Sequence, residues 1–381
     1  QNCNTREGGV YREIHKKEIL HLALLLHDIG KGEGGDHSEI GAQIANEASD
    51  LFGIDKDTKH ILLFLVKQHL LMTHLAFRRD LSDTRVLVAF AKTVGTPEVL
   101  KMLYILTLSD VAAVGAGTLT NWKRELLGEL FEKTLKILTG EQAEIELLRN
   151  PSQERVLARL SNMGPLSDEK VRVIAQYDET RKMTEYTIYT FDNLTEGIFS
   201  KISGVMSGKG LQILGAEIMT LDNQVVADTF HVEDLDFAGS PPKERLADVS
   251  HAIREVLLGN LQVETLLIHG RRRGAGRVAL RHFPTDVAID NLSSDRFTIV
   301  EVFAEDRQGL LYFITQVIFE AGLSVHTAKI STQLDQIVDV FYVTNLSGAK
   351  VTDPSEVLNL KGHLIGTIDH FLEYNKKRAS P

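Results

Sequence analysis

The sequence contains very little cysteine, since Cys3 is the only one among 381 residues. A lone cysteine builds neither a disulfide framework nor a thiolate zinc site, and it fits a reducing compartment. Long apolar runs are also missing: the stretch from Leu22 to Leu26 is far too short to cross a bilayer, and His27 follows it at once. Without a membrane span or a signal peptide, we expect a cytoplasmic protein that does not act at a membrane.

An excess of positive charge is missing too. The chain has 42 basic and 52 acidic residues, which gives a formal net charge of −10. Nucleic-acid binding needs a basic surface, so we expect no nucleic-acid partner. The strongest basic cluster is Arg271 to Arg273 with Arg277. Such runs are usually solvated loops, and docking of a phosphate or an acidic partner is the alternative.

Apolar periodicity divides the chain into a helical half and a mixed half. Roughly the first 140 residues carry amphipathic helical patterns, for example around Leu20, Leu62 and Leu103. From near Thr184 onward, β-branched and aromatic runs alternate with helices. We predict an all-α domain at 1–145, a helical connector at 146–180 and two α+β domains at 181–290 and 291–381.

The second half contains an internal repeat. The first copy has strand-like runs at 187–190, 210–213 and 228–232, and the second copy has them at 299–302, 322–325 and 339–343. A loop with a glycine follows the first run of each copy, and a helix follows the last. A strand near 287–289 is predicted to complete the first sheet. The pattern predicts two ferredoxin-like βαββαβ domains, each with its helices on one face of an antiparallel sheet.

The helical half carries histidines and aspartates beside its apolar faces. His27 and Asp28 end one helical run, His37 follows, His69 lies on another apolar helix, and Asp110 ends a further one. Each residue alone is more easily explained as a hydrogen-bonded core histidine or a helix cap. Together, and in this order, they predict a site for a divalent ion, with Mn or Mg preferred and Fe or Zn as alternatives.

The residues around these ligands resemble a known family. His27-Asp28-Ile29-Gly30-Lys31 is similar to the motif of HD-domain phosphohydrolases. The chain resembles the bifunctional uridylyltransferase and uridylyl-removing enzyme of the nitrogen regulator PII in the run His27 to Ala42, Gln68 to Met72, Arg78 to Asp80, and Trp122-Lys123. The two repeats resemble ACT domains, because Asp306-Arg307-Gln308-Gly309-Leu310-Leu311 is close to the Asp-Arg-Pro-Gly-Leu-Leu of that family. The resemblance begins at about Ile19.

This resemblance implies an HD phosphohydrolase domain followed by two ACT domains, acting on the uridylyl-tyrosine bond of PII and releasing UMP. Asp28 is then both a metal ligand and a catalytic residue, while Lys31 and Arg79 are candidates for binding phosphate. A solvated helix end is the alternative interpretation for both cations. The Gly-Ser motif of the nucleotidyltransferase domain of the family is not found in this chain, so we expect no transfer of UMP.

The resemblance also implies that glutamine, the nitrogen signal, binds the ACT domains. A glycine in the loop after the first strand lets backbone amides approach a ligand carboxylate, although it also simply permits a tight turn. Leu194 and Thr195 are interpreted as the first-copy counterparts of the Asp-Arg pair, which predicts a poorer first site. ACT domains often pair across chains, so a homo-oligomer is a further expectation. The candidate ligand-binding residues are Asp306, Arg307, Gly309, Leu310, Ser324 and Gly197.

Two other functions remain open from the sequence. One is a different HD-type nucleotide phosphohydrolase with ACT sensing, although Ile29-Gly30-Lys31 differs from the paired acidic residues that follow His-Asp in the guanosine-polyphosphate enzymes. The other is an inactive HD–ACT sensory scaffold. HD domains usually have a further upstream histidine, for which His15 and His21 are candidates. His21 is predicted to be structural, so we expect the upstream ligand before Gln1, in a longer protein.

Overall fold

The protein divides into two compact units, residues Gln1–Asn150 and Pro151–Pro381. The computed structural model describes residues 5–115, 117–140, 158, 166, 169–220, 225–237, 239–271, 284–333 and 336–379. Each unit has its own hydrophobic core. Cys3, Arg272, Arg273, Arg277 and most of the predicted connector lie outside the described residues.

The first unit is all-α, as predicted. Capping residues set where several of its helices begin: the carboxylate of Asp36 accepts from the backbone N–H of Ser38, and Thr96 caps a helix that has Pro97 in its first turn. The helices are α1 (Arg6–Glu13), α2 (Lys17–Leu26), α3 (His37–Leu51), α4 (Lys56–Lys67), α5 (Leu71–Arg78), α6 (Thr84–Val94), α7 (Pro97–Ala113) and α8 (Asn121–Thr139).

The apolar faces of these helices meet in one core. Leu20, Leu62, Leu100 and Tyr104 are fully buried there, on α2, α4 and α7. Among the described helices, no single one is long and apolar enough to span a membrane. The bent pair α4 and α5 satisfies that test by length and composition, and Leu62 and other residues of the pair lie in this core.

The second unit is built on one antiparallel sheet in the order β1-β2-β4-β3-β7-β9-β6-β5, with β8 paired to β9. The strands are β1 (Val171–Asp178), β2 (Met183–Phe191), β3 (Leu211–Thr220), β4 (Val225–Asp234), β5 (Asp286–Asp290), β6 (Thr298–Glu305), β7 (Leu323–Lys329), β8 (Thr332–Gln333) and β9 (Gln336–Asn345). The helices are α9 (Ile198–Gly208), α10 (Lys243–Leu257), α11 (Val263–Arg271), α12 (Leu310–Glu320) and α13 (Pro354–Ala379).

All five helices contribute to one core on one face of the sheet. Val300 and Phe341 lie in the core that they share with the helices, whereas their neighbours Ile299 and Val340 form a separate cluster. Successive side chains of a strand point to opposite faces, so the second cluster lies on the other side. The predicted fold class, an all-α domain followed by an antiparallel α+β region, is confirmed.

Two details of the predicted organisation are wrong. Val171–Asp178, in the range predicted as a helical connector, forms strand β1 and pairs with β2, because Val171, Val173 and Tyr177 favour a strand. The strand near 287–289 is β5, which pairs with β6 and so belongs to the second repeat instead of the first. Each repeat therefore gains an extra strand before its first predicted strand, which moves the start of the repeats to Val171 and Asp286.

The two repeats are joined at the middle of the sheet. Residues 215–217 of β3 pair with residues 327–329 of β7. Helices α9 and α12 also touch there, since a Cβ added to Gly204 would lie 2.8 Å from Cδ2 of Tyr312. The side-chain nitrogen of Gln308 donates to the carbonyl of Ser207 at 2.9 Å, which adds a polar contact between the repeats.

Candidate metal centre

Four helical segments bring the five predicted ligands together. His27 directly follows α2 and Asp28 comes next, so this pair lies at the turn where the helix ends. His37 is the first residue of α3, and the cap by Asp36 fixes that start. His69 lies between α4 and α5, and Asp110 lies in the last turns of α7.

The five side chains form two groups that share Asp28. One group is His27, Asp28 and Asp110, and the other is Asp28, His37 and His69; within each group the ligand atoms lie within 4.8 Å of one another. His27 Nε2 is 3.3 Å from Asp110 Oδ1 and 3.4 Å from Asp28 Oδ2. Asp28 Oδ1 is 4.0 Å from His37 Nε2 and 3.8 Å from His69 Nε2. The five residues named from the sequence therefore lie together around Asp28 in the folded protein.

Backbone carbonyls orient two of the imidazoles. His27 Nδ1 lies 2.8 Å from the carbonyl oxygen of Leu24, and His69 Nδ1 lies 2.8 Å from that of Val66. Because a carbonyl oxygen only accepts, each Nδ1 carries the hydrogen and donates it. The Nε2 atoms then face the carboxylates, which is the arrangement that second-sphere hydrogen bonds give to metal-binding histidines.

The two carboxylates of the cluster place negative charge around the imidazole nitrogens, which favours a bound cation or proton. The hydrogen bond with Asp110 raises the pKa of His27, and the same hydrogen bond lowers the pKa of Asp110. A neutral His27 would direct a lone pair at two carboxylates, so either a proton or a metal ion has to lie between them. Burial lowers the pKa of His69, whose side chain is 1% exposed, and so favours the neutral form that binds metals. Three imidazoles and two carboxylates fit a divalent transition metal or Mg.

Lys31 reaches this centre directly. Its Nζ lies 2.6 Å from Asp28 Oδ2, and its side chain is 61% exposed. The ammonium group is thus beside the shared carboxylate and open to a ligand from solvent. Arg79 follows α5, and its Nη1 donates to the carbonyl of Arg78 at 3.5 Å. Its contact with phosphate stays a prediction.

Neither upstream histidine lies in the cluster. His15 Nδ1 is 3.1 Å from Glu98 Oε2, and His21 Nε2 is 3.0 Å from the hydroxyl of Tyr11. The first contact joins the segment between α1 and α2 to α7, and the second joins α2 to α1. The structural interpretation of His21 is therefore supported by a specific partner.

Three of the six predicted effector residues, Asp306, Arg307 and Gly309, lie in the loop before α12. Gly309 precedes this helix with φ of +89°, and Gly197 precedes α9 with φ of +65°, both in the left-handed region that favours glycine. Arg307 pairs with Glu305 through Nη2, while Leu310 is 1% exposed and belongs to the core. The backbone N–H of Leu310 donates to the carbonyl oxygen of Arg307 at 3.0 Å, and a ligand contact at Leu310 stays a prediction.

Strand register identifies a better first-copy counterpart for Asp306. Ile188 pairs with Asp228 on β4, and Val302 pairs with Asp339 on β9, so these pairs correspond. Counting forward from Ile188 and Val302 makes Asp192, not Leu194, the counterpart of Asp306. The first loop has two more residues before its glycine, which is why counting back from Gly197 misaligned it. Ser324 lies on β7 opposite Thr344, and its ligand contact remains a prediction.

Sequence reasoning missed two buried carboxyl groups at corresponding positions. Asp228 and Asp339 are each 1% exposed on the helix-covered face of the sheet. Among the described residues, Oδ1 of each has no hydrogen-bond partner. Burial raises the pKa of Asp228 to about 8, with a further contribution from Asp192, and burial likewise raises that of Asp339. The signal was present in the repeated Asp-Thr-Phe and Asp-Val-Phe triplets.

Two protein-family descriptions match the chain, one in each half. The HD domain family matches residues 7–94, and the family described as ACR family N-terminal ACT domain matches residues 293–371. Asp110 lies beyond the HD match, so its place in the site rests on the geometry. No solved structure matches.

Similarity along more than nine-tenths of this chain is found with bacterial enzymes. The chain is 32% identical over 394 residues to a bifunctional uridylyltransferase/uridylyl-removing enzyme of Gluconobacter oxydans (strain 621H), covering 93% of this chain and 41% of the relative. It is 32% identical to the enzyme so named from Azospirillum brasilense, covering 93% and 42%, and 31% identical to that of Zymomonas mobilis subsp. mobilis (strain ATCC 31821 / ZM4 / CP4), covering 94% and 43%. The chain thus spans less than half the length of these curated relatives. It contains an HD domain and an ACT domain, and along more than nine-tenths of its length it is related to the bifunctional uridylyltransferase/uridylyl-removing enzymes.

Proposed function

We propose that this chain is a metal-dependent phosphodiesterase that removes UMP from the uridylylated PII protein. The observation that carries the proposal is the convergence of His27, His37, His69 and Asp110 around the shared Asp28. The uridylyl-removing activity named for the relatives supplies the substrate class. A cytoplasmic location is part of the proposal and is consistent with the single cysteine.

The residues divide the chemistry between them. His27, Asp28 and Asp110 would hold one divalent ion, and Asp28, His37 and His69 would hold a second. Such an ion supplies acidification of water and neutralisation of charge on a phosphoryl oxygen. Lys31 binds a second phosphoryl oxygen through an ammonium group that already lies beside Asp28. Water replaces the tyrosine oxygen on phosphorus, which yields UMP and the free phenol. Mn or Mg is the preferred ion, and Fe or Zn fits the same nitrogen and oxygen ligands.

Glutamine binding at the ACT repeats is the proposed control. Gly309 and Gly197 place left-handed turns at the starts of α12 and α9, and neither residue carries a side chain of its own beside its backbone amide. The hydrogen bond from Gln308, in the loop before α12, to the carbonyl of Ser207, at the end of α9, would couple this loop to the first repeat. Pairing of ACT repeats across chains into a homo-oligomer is a further proposal.

The test is release of UMP from uridylylated PII with Mn or Mg, with and without glutamine. We expect metal-dependent release whose rate responds to glutamine. Asp28→Ala should abolish release while the helical circular dichroism stays unchanged, because this carboxylate is common to both ligand groups. Asp50→Ala is the matched control, since that carboxylate is 69% exposed on α3 and pairs only with Lys59 in the contacts seen.

Normal turnover by Asp28→Ala would contradict the assignment of the site. Metal-dependent hydrolysis of another nucleotide without any release of UMP would favour a different HD phosphohydrolase. Absence of bound metal and of any hydrolysis would favour the sensory scaffold, since a scaffold has no need of the ion.

A further inference from the structure

Two glycines meet where the α2 turn faces the start of α3. Gly30 is buried and lies two residues after Asp28, while Gly41 is buried in α3, four residues after His37. A Cβ added to Gly41 would lie 3.7 Å from the nitrogen of Gly30 and 3.7 Å from the carbonyl oxygen of His27. The backbones that carry His27, Asp28 and His37 are thus in direct contact.

The space beside Gly30 is filled by backbone. A Cβ there would lie 2.3 Å from the carbonyl oxygen of His37 and 2.7 Å from the backbone nitrogen of Gly41. These two atoms are the acceptor and the donor of a backbone hydrogen bond in the first turn of α3. Gly30 is not among the glycines with positive φ. Glycine is therefore required at this position for close approach and not for an unusual backbone conformation.

We propose that Gly30 is a positioning residue for the metal centre. Its missing side chain lets the first turn of α3 approach closely enough to set His37 Nε2 at 4.0 Å from Asp28 Oδ1. In Gly30→Ala the new Cβ would lie 2.3 Å from the carbonyl oxygen of His37, and these two atoms must move apart by about 1 Å to reach ordinary van der Waals separation. The shift would be carried by the backbone of His37 itself. The inference deepens the proposed function and rests on its metal-binding part.

The effect should be confined to one of the two ligand groups. His37 belongs to the group of Asp28 and His69, whereas Asp110 on α7 and His27 on the α2 turn form the other with Asp28. A displaced α3 moves only the first group apart. Binding at the second group should persist, which a general loss of folding would not allow.

Three glycines of this unit provide a graded test. A Cβ on Gly9 meets nothing within 4 Å, one on Gly41 lies 3.3 Å from the Val66 side chain, and one on Gly30 meets backbone at 2.3 Å. Calorimetric titration of the 381-residue chain with Mn should give unchanged affinity for Gly9→Ala and a loss of a few-fold for Gly41→Ala. For Gly30→Ala we expect a loss of about 10-fold to 100-fold at the group of Asp28, His37 and His69, while the other group keeps its affinity. Equal affinity for Gly30→Ala and Gly9→Ala would overturn the inference.

A double-mutant cycle with His37→Ala separates positioning from general damage. If Gly30 acts through His37, Gly30→Ala should lower Mn affinity in the wild-type background and have little further effect in His37→Ala. Equal losses in both backgrounds would overturn the inference. If Gly30→Ala does not fold by circular dichroism, the same cycle is run with Gly41→Ala, and zero coupling to His37 overturns it. A wild-type chain that binds no Mn would refute the proposed function as well, so the two failures are distinct.

Discussion

Asp28 directs its two carboxylate oxygens to different partners. Oδ2 lies near His27 and Lys31, and Oδ1 lies nearer His37 and His69. A carboxylate can bridge two ions in this way, and an ion at Oδ2 would share that oxygen with Lys31, whose Nζ lies 2.6 Å from it. Lys31 would therefore compete with that cation for Asp28.

Replacing Lys31 should change binding and catalysis in opposite directions. In Lys31→Met the competing ammonium is gone, so Mn affinity should stay equal or rise. UMP release at saturating Mn should fall by at most about 10²-fold, because a charge that stabilises the phosphoryl oxygens is lost. Calorimetry and the release assay measure the two effects.

Lys59→Met is the control for Lys31→Met, since Lys59 makes an ion pair with Asp50 at the same 2.6 Å distance in the same unit. It should alter neither quantity. A Lys31→Met variant that lost Mn affinity and kept its rate would reverse the assigned role.

At single positions the sequence predicted which side chains lie together but not the distances between them. His27, Asp28 and His37 could be named because they lie in one short motif. Their convergence with His69 and Asp110 depends on how α4 and α7 pack against α2, which no local pattern specifies. Gly30 escaped notice for the same reason, because only the fold shows what occupies the space beside it.

Among the elements, α9 and α12 pack across the junction of the repeats with little room to spare. A Cβ on Gly204 would lie 2.3 Å from Cγ1 of Val263 and 2.8 Å from Tyr312. Gly204→Ala should therefore destabilise this unit by about 1–3 kcal/mol through overpacking. Urea unfolding followed by circular dichroism gives the free energy of unfolding.

Gly366→Ala provides the opposite case on α13. Gly366 is exposed, and a Cβ there meets nothing within 4 Å. The substitution should stabilise the helix by about 0.5–1 kcal/mol, because alanine loses less backbone entropy than glycine. Equal effects of the two substitutions would show that the junction is looser than the described contacts indicate.

The elements of each repeat were predictable to different degrees. The strands around Ile188, Val302 and their partners were found because apolar and β-branched residues recur in both copies. Strand β1 was missed because it follows a polar stretch that suggested a helical connector. Strand β5 was recognised as a strand but assigned to the wrong repeat, since sequence order does not specify which edge a strand joins.

For the molecule as a whole, Asp228 makes stability depend on pH. Its pKa is about 8 in the folded protein and near 3.8 when unfolded, so the folded state holds an extra proton between those values. Where the folded state binds more protons, the free energy of unfolding falls as pH rises. The stabilisation is thus complete below about pH 4 and is lost as pH rises through about 8.

Asp228→Asn should flatten this dependence, because the amide keeps the shape and cannot ionise. Urea unfolding at pH 5 and pH 8 measures the difference between the two free energies for each protein. A wild-type chain as stable at pH 8 as at pH 5, or a variant with the same slope as wild type, would contradict the buried protonated carboxyl. Asp50→Asn, on an exposed residue of the other unit, is the control.

The pairing of β3 with β7 leaves the two repeats dependent on each other. Each covers the strand edge that the other would otherwise expose, at residues 215–217 and 327–329. Deletion of either copy would leave an unpaired strand edge and an uncovered helix face on the one that remained. A substitution at this junction in one copy must therefore be compatible with the other copy.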